Sequence, residues 1–108
     1  MTKGKSEARV RLDLNNPNFQ DALFGLEKPE RLAALDTLSK LHLLTWSQLY
    51  RDTGLKWEKI ASLKPPTGID SLYSLRITRS RRATAYRDGD FLRLLTIAPD
   101  HDSTYGKK

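Results

Sequence analysis

The 108 residues include 19 basic and 13 acidic side chains, two histidines and no cysteine, which gives a net charge of +6. Without cysteine, disulfide scaffolds, thiolate metal sites and thiol catalysis are excluded, and the composition fits a reducing cytoplasm. No stretch approaches the roughly 20 apolar residues that a membrane helix needs, and the charged start lacks an apolar secretory segment. The chain is therefore expected to be one soluble cytoplasmic domain, residues 1–108, with no membrane partner.

The first predicted element is a strand with one buried face. Residues 8–14 alternate strictly between apolar and charged side chains, and this period of two is typical of such a strand. The asparagine-rich segment that follows ends the alternation. Asn16 can cap a helix whose first residue is Pro17, and apolar residues at helical spacing continue to about Leu26.

Two further helices are predicted before the middle of the chain. One begins at Pro29 and continues to about Leu44. The next begins after Thr45, which with Gln48 forms a capping-box pattern, and it ends near Asp52. Five leucines of the longer helix form a broad apolar stripe that we expect to lie in the core: Leu32, Leu35, Leu38, Leu41 and Leu43.

The second half of the chain is rich in strand patterns. The alternation over 55–60 predicts a strand, and the proline-containing segment 63–70 predicts a loop. Asp88-Gly89 predicts a type I′ hairpin turn between the last two strands. The predicted elements come in the order strand, helices, then several strands. This order predicts an α+β fold, with two to three helices on one face of a mainly antiparallel sheet of four to five strands. The three closing strands are 72–78, 82–87 and 91–98.

Basic charge is concentrated in the last third of the chain. Residues 73–108 hold eight basic and four acidic side chains, and six of the eight are arginines, the side chain best suited to bidentate phosphate contact. Alternation places Arg76 on the same strand face as Thr78. Arg82 joins that face if the turn has an odd number of residues. This pattern fits an arginine-lined phosphate surface and fits equally an exposed sheet face with scattered charges.

His101 lies between Asp100 and Asp102, four residues before Tyr105. A lone histidine among aspartates is commonly an ordinary surface residue. The alternative is a general acid whose pKa the flanking carboxylates raise. One imidazole is too little for a metal site, and no metal or cofactor is predicted. Glycine-rich phosphate loops and zincin motifs are absent from the sequence.

The strand Leu72-Tyr73-Ser74-Leu75-Arg76-Ile77-Thr78 precedes Arg81-Arg82-Ala83-Thr84-Ala85-Tyr86 and the turn Asp88-Gly89. This run, with the helices before it and a tail bearing histidine and tyrosine, resembles the RelE/YoeB/ParE toxin superfamily. The detailed likeness covers residues 72–105, and the order of elements extends it to the rest of the chain. The family often has a basic pair where this chain has Asp100-His101-Asp102.

The resemblance implies a cytoplasmic bacterial toxin of a type II toxin–antitoxin system, with an antitoxin protein as partner. Ribonucleolytic members cleave messenger RNA on the ribosome without metal or cofactor. By this analogy Arg82 stabilises the transition state, and Arg76 corresponds to the basic residue one strand earlier. His101 or Tyr105 donates the proton or stacks on a base. Glu58 lies on the strand where some members place a general base. The candidate RNA-binding residues are Lys56, Lys64, Arg79 and Arg81.

Two alternatives belong to other functional classes. A ParE-like protein would inhibit its target, such as a topoisomerase, by binding and without cutting RNA. An inactive family member would bind a protein or RNA without catalysis. Toxicity that survives removal of His101 would favour the first of these, and harmless expression would favour the second.

Overall fold

The computed structural model describes residues 8–99. Its sheet has the strand order β1-β5-β4-β3-β2, in which β1 and β5 are parallel and all other neighbours are antiparallel. Three helices pack against one face of this sheet, which confirms the predicted α+β fold. The elements are β1 (Arg11–Asp13), α1 (Pro17–Phe24), α2 (Lys28–Leu43), α3 (Trp46–Arg51), β2 (Glu58–Lys59), β3 (Tyr73–Thr78), β4 (Arg81–Asp88) and β5 (Phe91–Pro99).

The helix starts follow the capping residues. Asn16 accepts a hydrogen bond from the backbone N–H of Asn18 through Oδ1 at 2.8 Å, and the following proline occupies the first turn of α1. Thr45 and Gln48 form the predicted capping box at the start of α3, each side chain bonding the other residue's backbone N–H. These bonds satisfy N–H groups that have no partner inside the helix.

The core lies between the helices and one face of the sheet. The side chains of Leu75, Ile77, Ala83 and Ala85 are fully buried there, and these are the strand positions that the alternation assigns to the helix side. None of the helices among residues 8–99 is long and apolar enough to cross a lipid bilayer.

The expectation that all five leucines of α2 lie in the core is wrong for three of them. Leu38 and Leu41 are buried, but Leu32, Leu35 and Leu43 are 50, 40 and 67% exposed. The helix has the sheet on one side only, and residues 32 and 43 lie on the far side of the helical wheel, with residue 35 at the edge between the two sides. The helix therefore has two apolar faces. Among residues 8–99, the sheet covers the face that holds Leu38 and Leu41.

The strand predicted over 55–60 is reduced to Glu58–Lys59. Lys56 adopts a positive φ of 50°, unlike every other non-glycine residue between 8 and 99. A left-handed residue breaks the pleat that alternation requires. Leu55 is buried and its carbonyl oxygen accepts from the N–H of Arg76, so the chain enters β2 through a kink beside β3.

The hairpin between β4 and β5 differs from the predicted turn. Asp88 pairs with Phe91, so the two loop residues are Gly89 and Asp90. Gly89 has a φ of 62°, whereas Asp90 has no positive φ. A type I′ turn needs positive φ at both loop positions, so the type I′ prediction is wrong, although glycine does supply the left-handed residue.

Candidate nucleic-acid interface on the open face of the sheet

Two arginines lie side by side on the sheet face that no helix covers within residues 8–99. Arg76 of β3 pairs directly with Arg82 of β4 in the antiparallel register. Direct partners in a ladder point to the same face. This confirms that the two arginines share a face, on the side opposite the buried Leu75 and Ala83.

Arg82 is firmly held, with only 14% of its side chain exposed. Its Nη2 donates to the carbonyl oxygen of Lys56 at 2.7 Å and to the Ser74 hydroxyl at 2.9 Å. Its Nε also donates to the Ser74 hydroxyl, at 3.2 Å. The guanidinium is therefore fixed in direction, with one bond to the backbone and two to a single hydroxyl.

A carboxylate lies beside this guanidinium. Glu58 pairs with Ser74 across β2 and β3, and its Oε1 is 3.7 Å from Nη2 of Arg82. The Glu58 side chain is 61% exposed, so its second oxygen is accessible to a ligand. A carboxylate that can take a proton thus stands next to a positive charge that can stabilise an anion.

Arg76 is half-buried and its Nη1 donates to the carbonyl oxygen of Arg79 at 2.6 Å. This bond ties the side chain to the turn between β3 and β4. Thr84 of β4 and Thr96 of β5 continue the row of polar side chains that begins with Glu58 and Ser74. The candidate site is therefore a strip across the open face with two arginines, one glutamate and neutral hydroxyls.

Thr78 does not share the face of Arg76, contrary to the alternation. The register shifts between Arg76 and Thr78, and the extra residue turns the Thr78 side chain toward the helices. Its Oγ1 donates to Oε2 of Glu30 at 3.0 Å. Arg81, the partner of Thr78, contacts the other carboxylate oxygen of Glu30 through Nε at 2.9 Å.

Glu30 is thus a polar anchor on the helix side of the sheet. Besides these contacts it accepts from the Ser80 hydroxyl at 2.8 Å. Arg81 most of all, and then the hydroxyls, lower the pKa of Glu30 because they stabilise its charged form. Arg81 is therefore separated from Arg76 and Arg82 and has its charge paired with a carboxylate.

The remaining predicted residues are dispersed. Lys56, Lys64 and Arg79 are exposed, in loops or turns at the β3 and β2 side of the sheet. His101 and Tyr105 lie outside the described residues 8–99.

A second group of charges on the open face was not singled out from the sequence. Arg93 pairs with Tyr86 across β5 and β4, and it bonds the carboxylates of both Asp88 and Asp13. Asp88 first and then Asp13 raise the pKa of Arg93 because both favour its charged form. The Asp13 contact depends on the parallel pairing of the first and last strands, a long-range pairing that no local pattern indicates.

Among residues 8–99, no three histidine, aspartate or glutamate side chains come together in a way that could hold a metal ion. The polar groups of the open face belong mainly to arginine, serine and threonine. The strip thus offers the guanidinium donors of Arg76 and Arg82 to a phosphate, with the carboxylate of Glu58 nearby as a proton acceptor.

No protein-family model matches the sequence, and no curated protein matches it. Among solved structures, a chain of the archaeal RelE–RelB complex from Pyrococcus horikoshii OT3 is similar, with a TM-score of 0.55 and 19% sequence identity. The match covers 86% of this chain and 94% of that chain. Together with the helices on one face of a five-stranded sheet, this likeness shows that the chain has the RelE-like fold.

Proposed function

We propose that this protein is the toxin of a type II toxin–antitoxin pair and acts as an endoribonuclease on messenger RNA. The observation that carries the proposal is the fixed guanidinium of Arg82, paired with Arg76 and flanked by the carboxylate of Glu58. The RelE-like fold supports it, because the solved structure of similar fold comes from a RelE–RelB complex. A RelB-like antitoxin is the corresponding protein partner, and ribosome-bound messenger RNA in the cytoplasm is the proposed substrate.

The proposed reaction uses the RNA as its own nucleophile. The 2′-hydroxyl attacks the adjacent phosphorus, and the bond from phosphorus to the 5′-oxygen breaks. A cyclic 2′,3′-phosphate and a 5′-hydroxyl result. Glu58 takes the proton of the 2′-hydroxyl, and its exposed oxygen is the atom that would receive it. The protein must also supply charge stabilisation and a proton for the departing 5′-oxygen.

Arg82 and Arg76 supply the charge stabilisation in this proposal. Negative charge grows on the phosphoryl oxygens as the nucleophile adds, and fixed donors stabilise it without reorganising. Arg82 is already held by Lys56 and Ser74, so its direction is set before RNA binds. His101 or Tyr105 is the proposed proton donor or base-stacking group.

Exposed basic residues near the strip would bind the flanking phosphates. Lys56 and Arg79 are exposed, and their carbonyl oxygens accept from Arg82 and Arg76. Lys64 is exposed in the segment after β2. Arg81 contributes less directly, because Glu30 holds it on the helix side. Binding through such phosphate contacts weakens as salt rises.

The test is inducible expression in bacteria of the wild type, Arg82→Ala, Arg76→Ala and Glu58→Gln, with growth curves and mapping of RNA 5′ ends. Wild type is expected to arrest growth and to produce new cuts within coding regions. The Arg82→Ala and Arg76→Ala proteins should cut on the order of 10²–10³-fold more slowly. Arg51→Ala is the matched control, since Arg51 is exposed on α3, away from the strip.

Circular dichroism of each purified variant separates lost chemistry from lost folding. Growth arrest without RNA cuts would contradict the ribonuclease proposal and favour a ParE-like protein that inhibits a target such as a topoisomerase by binding. Absence of arrest at verified expression would favour a family member that binds without catalysis. Cuts that persist in a folded Arg82→Ala protein would refute the role given to Arg82.

A further inference from the structure

A cavity of about 520 Å³ lies at the end of the sheet near the β4–β5 hairpin, outside the strip described above. Three aromatic side chains line it: Tyr50 of α3, Trp57, and Tyr73 of β3. Arg87 and the loop 68–71 complete the lining, with Asp88 and Gly89 of the hairpin. Its volume falls within the range of about 300–1,000 Å³ that is usual for small-ligand sites.

The rings form one connected cluster. Trp57 stacks on Tyr73 with centroids 4.6 Å apart and planes inclined by 12°. The ring centroids of Tyr50 and Trp57 are 6.0 Å apart, and Tyr50 is 48% exposed. Trp46 contacts both rings from the core side and is only 3% exposed. A planar group that enters the cavity thus meets aromatic surface that is held in place from behind.

Arg87 places a fixed positive charge beside these rings. Its Cζ lies 4.3 Å from the centroid of the Trp46 ring. Its Nε donates to the carbonyl oxygen of Gly89 at 2.7 Å, and its Nη1 donates to the Tyr50 hydroxyl at 3.0 Å. A cation already fixed here disfavours a second cation as ligand and favours a ligand that carries an anion.

Asp70 adds an acceptor of a different kind. It is exposed on the cavity wall, and no side chain among residues 8–99 donates to its carboxylate. The other lining carboxylate, that of Asp88, is already bonded to Arg93 at 2.9 Å. The cavity therefore offers one carboxylate with two accepting oxygens, next to aromatic faces and a cation.

We propose that this cavity binds the guanine base of a nucleotide. Guanine is the RNA base that presents two adjacent N–H donors on its pairing edge, and one carboxylate can accept both. Tyr50 and Trp57 provide the stacking surface, and Arg87 provides the charge for the attached phosphate. On RNA this would be a second contact point that selects a base at a distance from Arg76 and Arg82.

The first experiment titrates the full-length protein with GMP, AMP, CMP and UMP and follows tryptophan fluorescence. GMP should quench the fluorescence saturably, with a Kd below about 1 mM. Each of the other three nucleotides should bind at least about tenfold more weakly, because none can satisfy both carboxylate oxygens. Asp70→Asn should lose at least about tenfold in GMP affinity. Asp36→Asn, at an exposed aspartate on α2, should bind GMP as the wild type does.

These mononucleotides contain no bond for the proposed ribonuclease to cut, so the result does not depend on that activity. Arg76→Ala, which removes a charge from the strip alone, should keep GMP binding. The proposal is overturned if no nucleotide gives saturable quenching or if the four bind equally. It is also overturned if Asp70→Asn leaves GMP affinity unchanged, or if arginine methyl ester binds more tightly than GMP, which would identify a site for a cationic peptide side chain.

Discussion

Arg82 holds Lys56 in place: Nη2 of the arginine donates to the lysine carbonyl oxygen at 2.7 Å. Lys56 has a left-handed backbone and precedes Trp57, which stacks on Tyr73. The arginine of the proposed catalytic strip thus also fixes the chain that carries the aromatic wall of the cavity. A substitution of Arg82 therefore has a structural effect besides its effect on chemistry.

Replacing Arg82 with alanine should destabilise the fold by about 1–3 kcal/mol, because the carbonyl of Lys56 and the hydroxyl of Ser74 lose their charged donor. Chemical denaturation monitored by circular dichroism measures this difference. Hydrogen exchange should also become faster over residues 55–59, where the kink depends on that bond.

Arg82→Lys separates the structural role from the chemical one. A lysine can reach one acceptor but cannot bond a carbonyl and a hydroxyl with one planar group. Stability should recover in part while RNA cleavage remains low. Slow exchange over 55–59 in the alanine variant would show that the bond does not hold the kink.

Lys56 should tolerate glycine better than a β-branched residue. At a φ of 50° the left-handed conformation costs a residue with a Cβ about 1 kcal/mol, and glycine avoids that cost. Lys56→Gly is therefore expected to change the free energy of unfolding by no more than about 1 kcal/mol. Lys56→Val should be less stable than the wild type, and equal stability of the two variants would contradict the observed backbone.

Acid should destabilise the protein partly through Glu30. Arg81, followed by the hydroxyls of Ser80 and Thr78, lowers the pKa of this carboxyl below its ordinary value of 4.5. A carboxyl with a lowered pKa stabilises the fold fully above the unfolded value, and this contribution is lost as pH falls through the folded value. Stability should thus decrease as pH falls below about 5.

Glu30→Gln should lose about 1–2 kcal/mol at neutral pH, since the ion pair is partly solvent-screened. Its unfolding free energy should also vary less between pH 7 and acid than that of the wild type. Urea titrations at a series of pH values measure both effects, with Asp36→Asn as the control for loss of an exposed carboxylate. An unchanged acid dependence in Glu30→Gln would refute the assignment.

The two apolar faces of α2 should respond differently to truncation. Leu41 is fully buried, so Leu41→Ala should cost about 2–5 kcal/mol through lost burial and a cavity. Leu43 is 67% exposed, and Leu43→Ala should stay within about 0.5 kcal/mol of the wild type. Thermal and urea unfolding of both variants would settle this, and a large loss in Leu43→Ala would mean that its side chain is covered.

Local patterns were sufficient to predict most elements of the fold. Asn16 and the pair Thr45/Gln48 marked helix starts because their capping bonds involve residues two or three positions away. The leucines of α2 could not be divided into buried and exposed in this way. Their positions span more than half of the helical wheel, and only the placement of the sheet decides which side is covered.

The sequence predicted the central pair of the candidate site, Arg76 and Arg82, but not the backbone around it at Thr78 and Lys56. Arg76 and Arg82 face each other because a short turn joins their strands. The bulge turns Thr78 toward α2, where its hydroxyl bonds Glu30. The kink at Lys56 is held by the bond from Arg82. Neither has a local sequence signal, since the residues involved are 26 to 48 positions apart.

The parallel pairing of β1 with β5 has a consequence for biosynthesis. Arg11 pairs with Phe91 and Asp13 with Arg93, partners separated by 80 positions along the chain. At roughly 5–20 residues per second, a ribosome needs several seconds to make the intervening segment. During that time the backbone of β1 has no β5 to pair with. The edge of the nascent sheet is completed only after β5 has left the ribosome, so β1 cannot form its ladder before then.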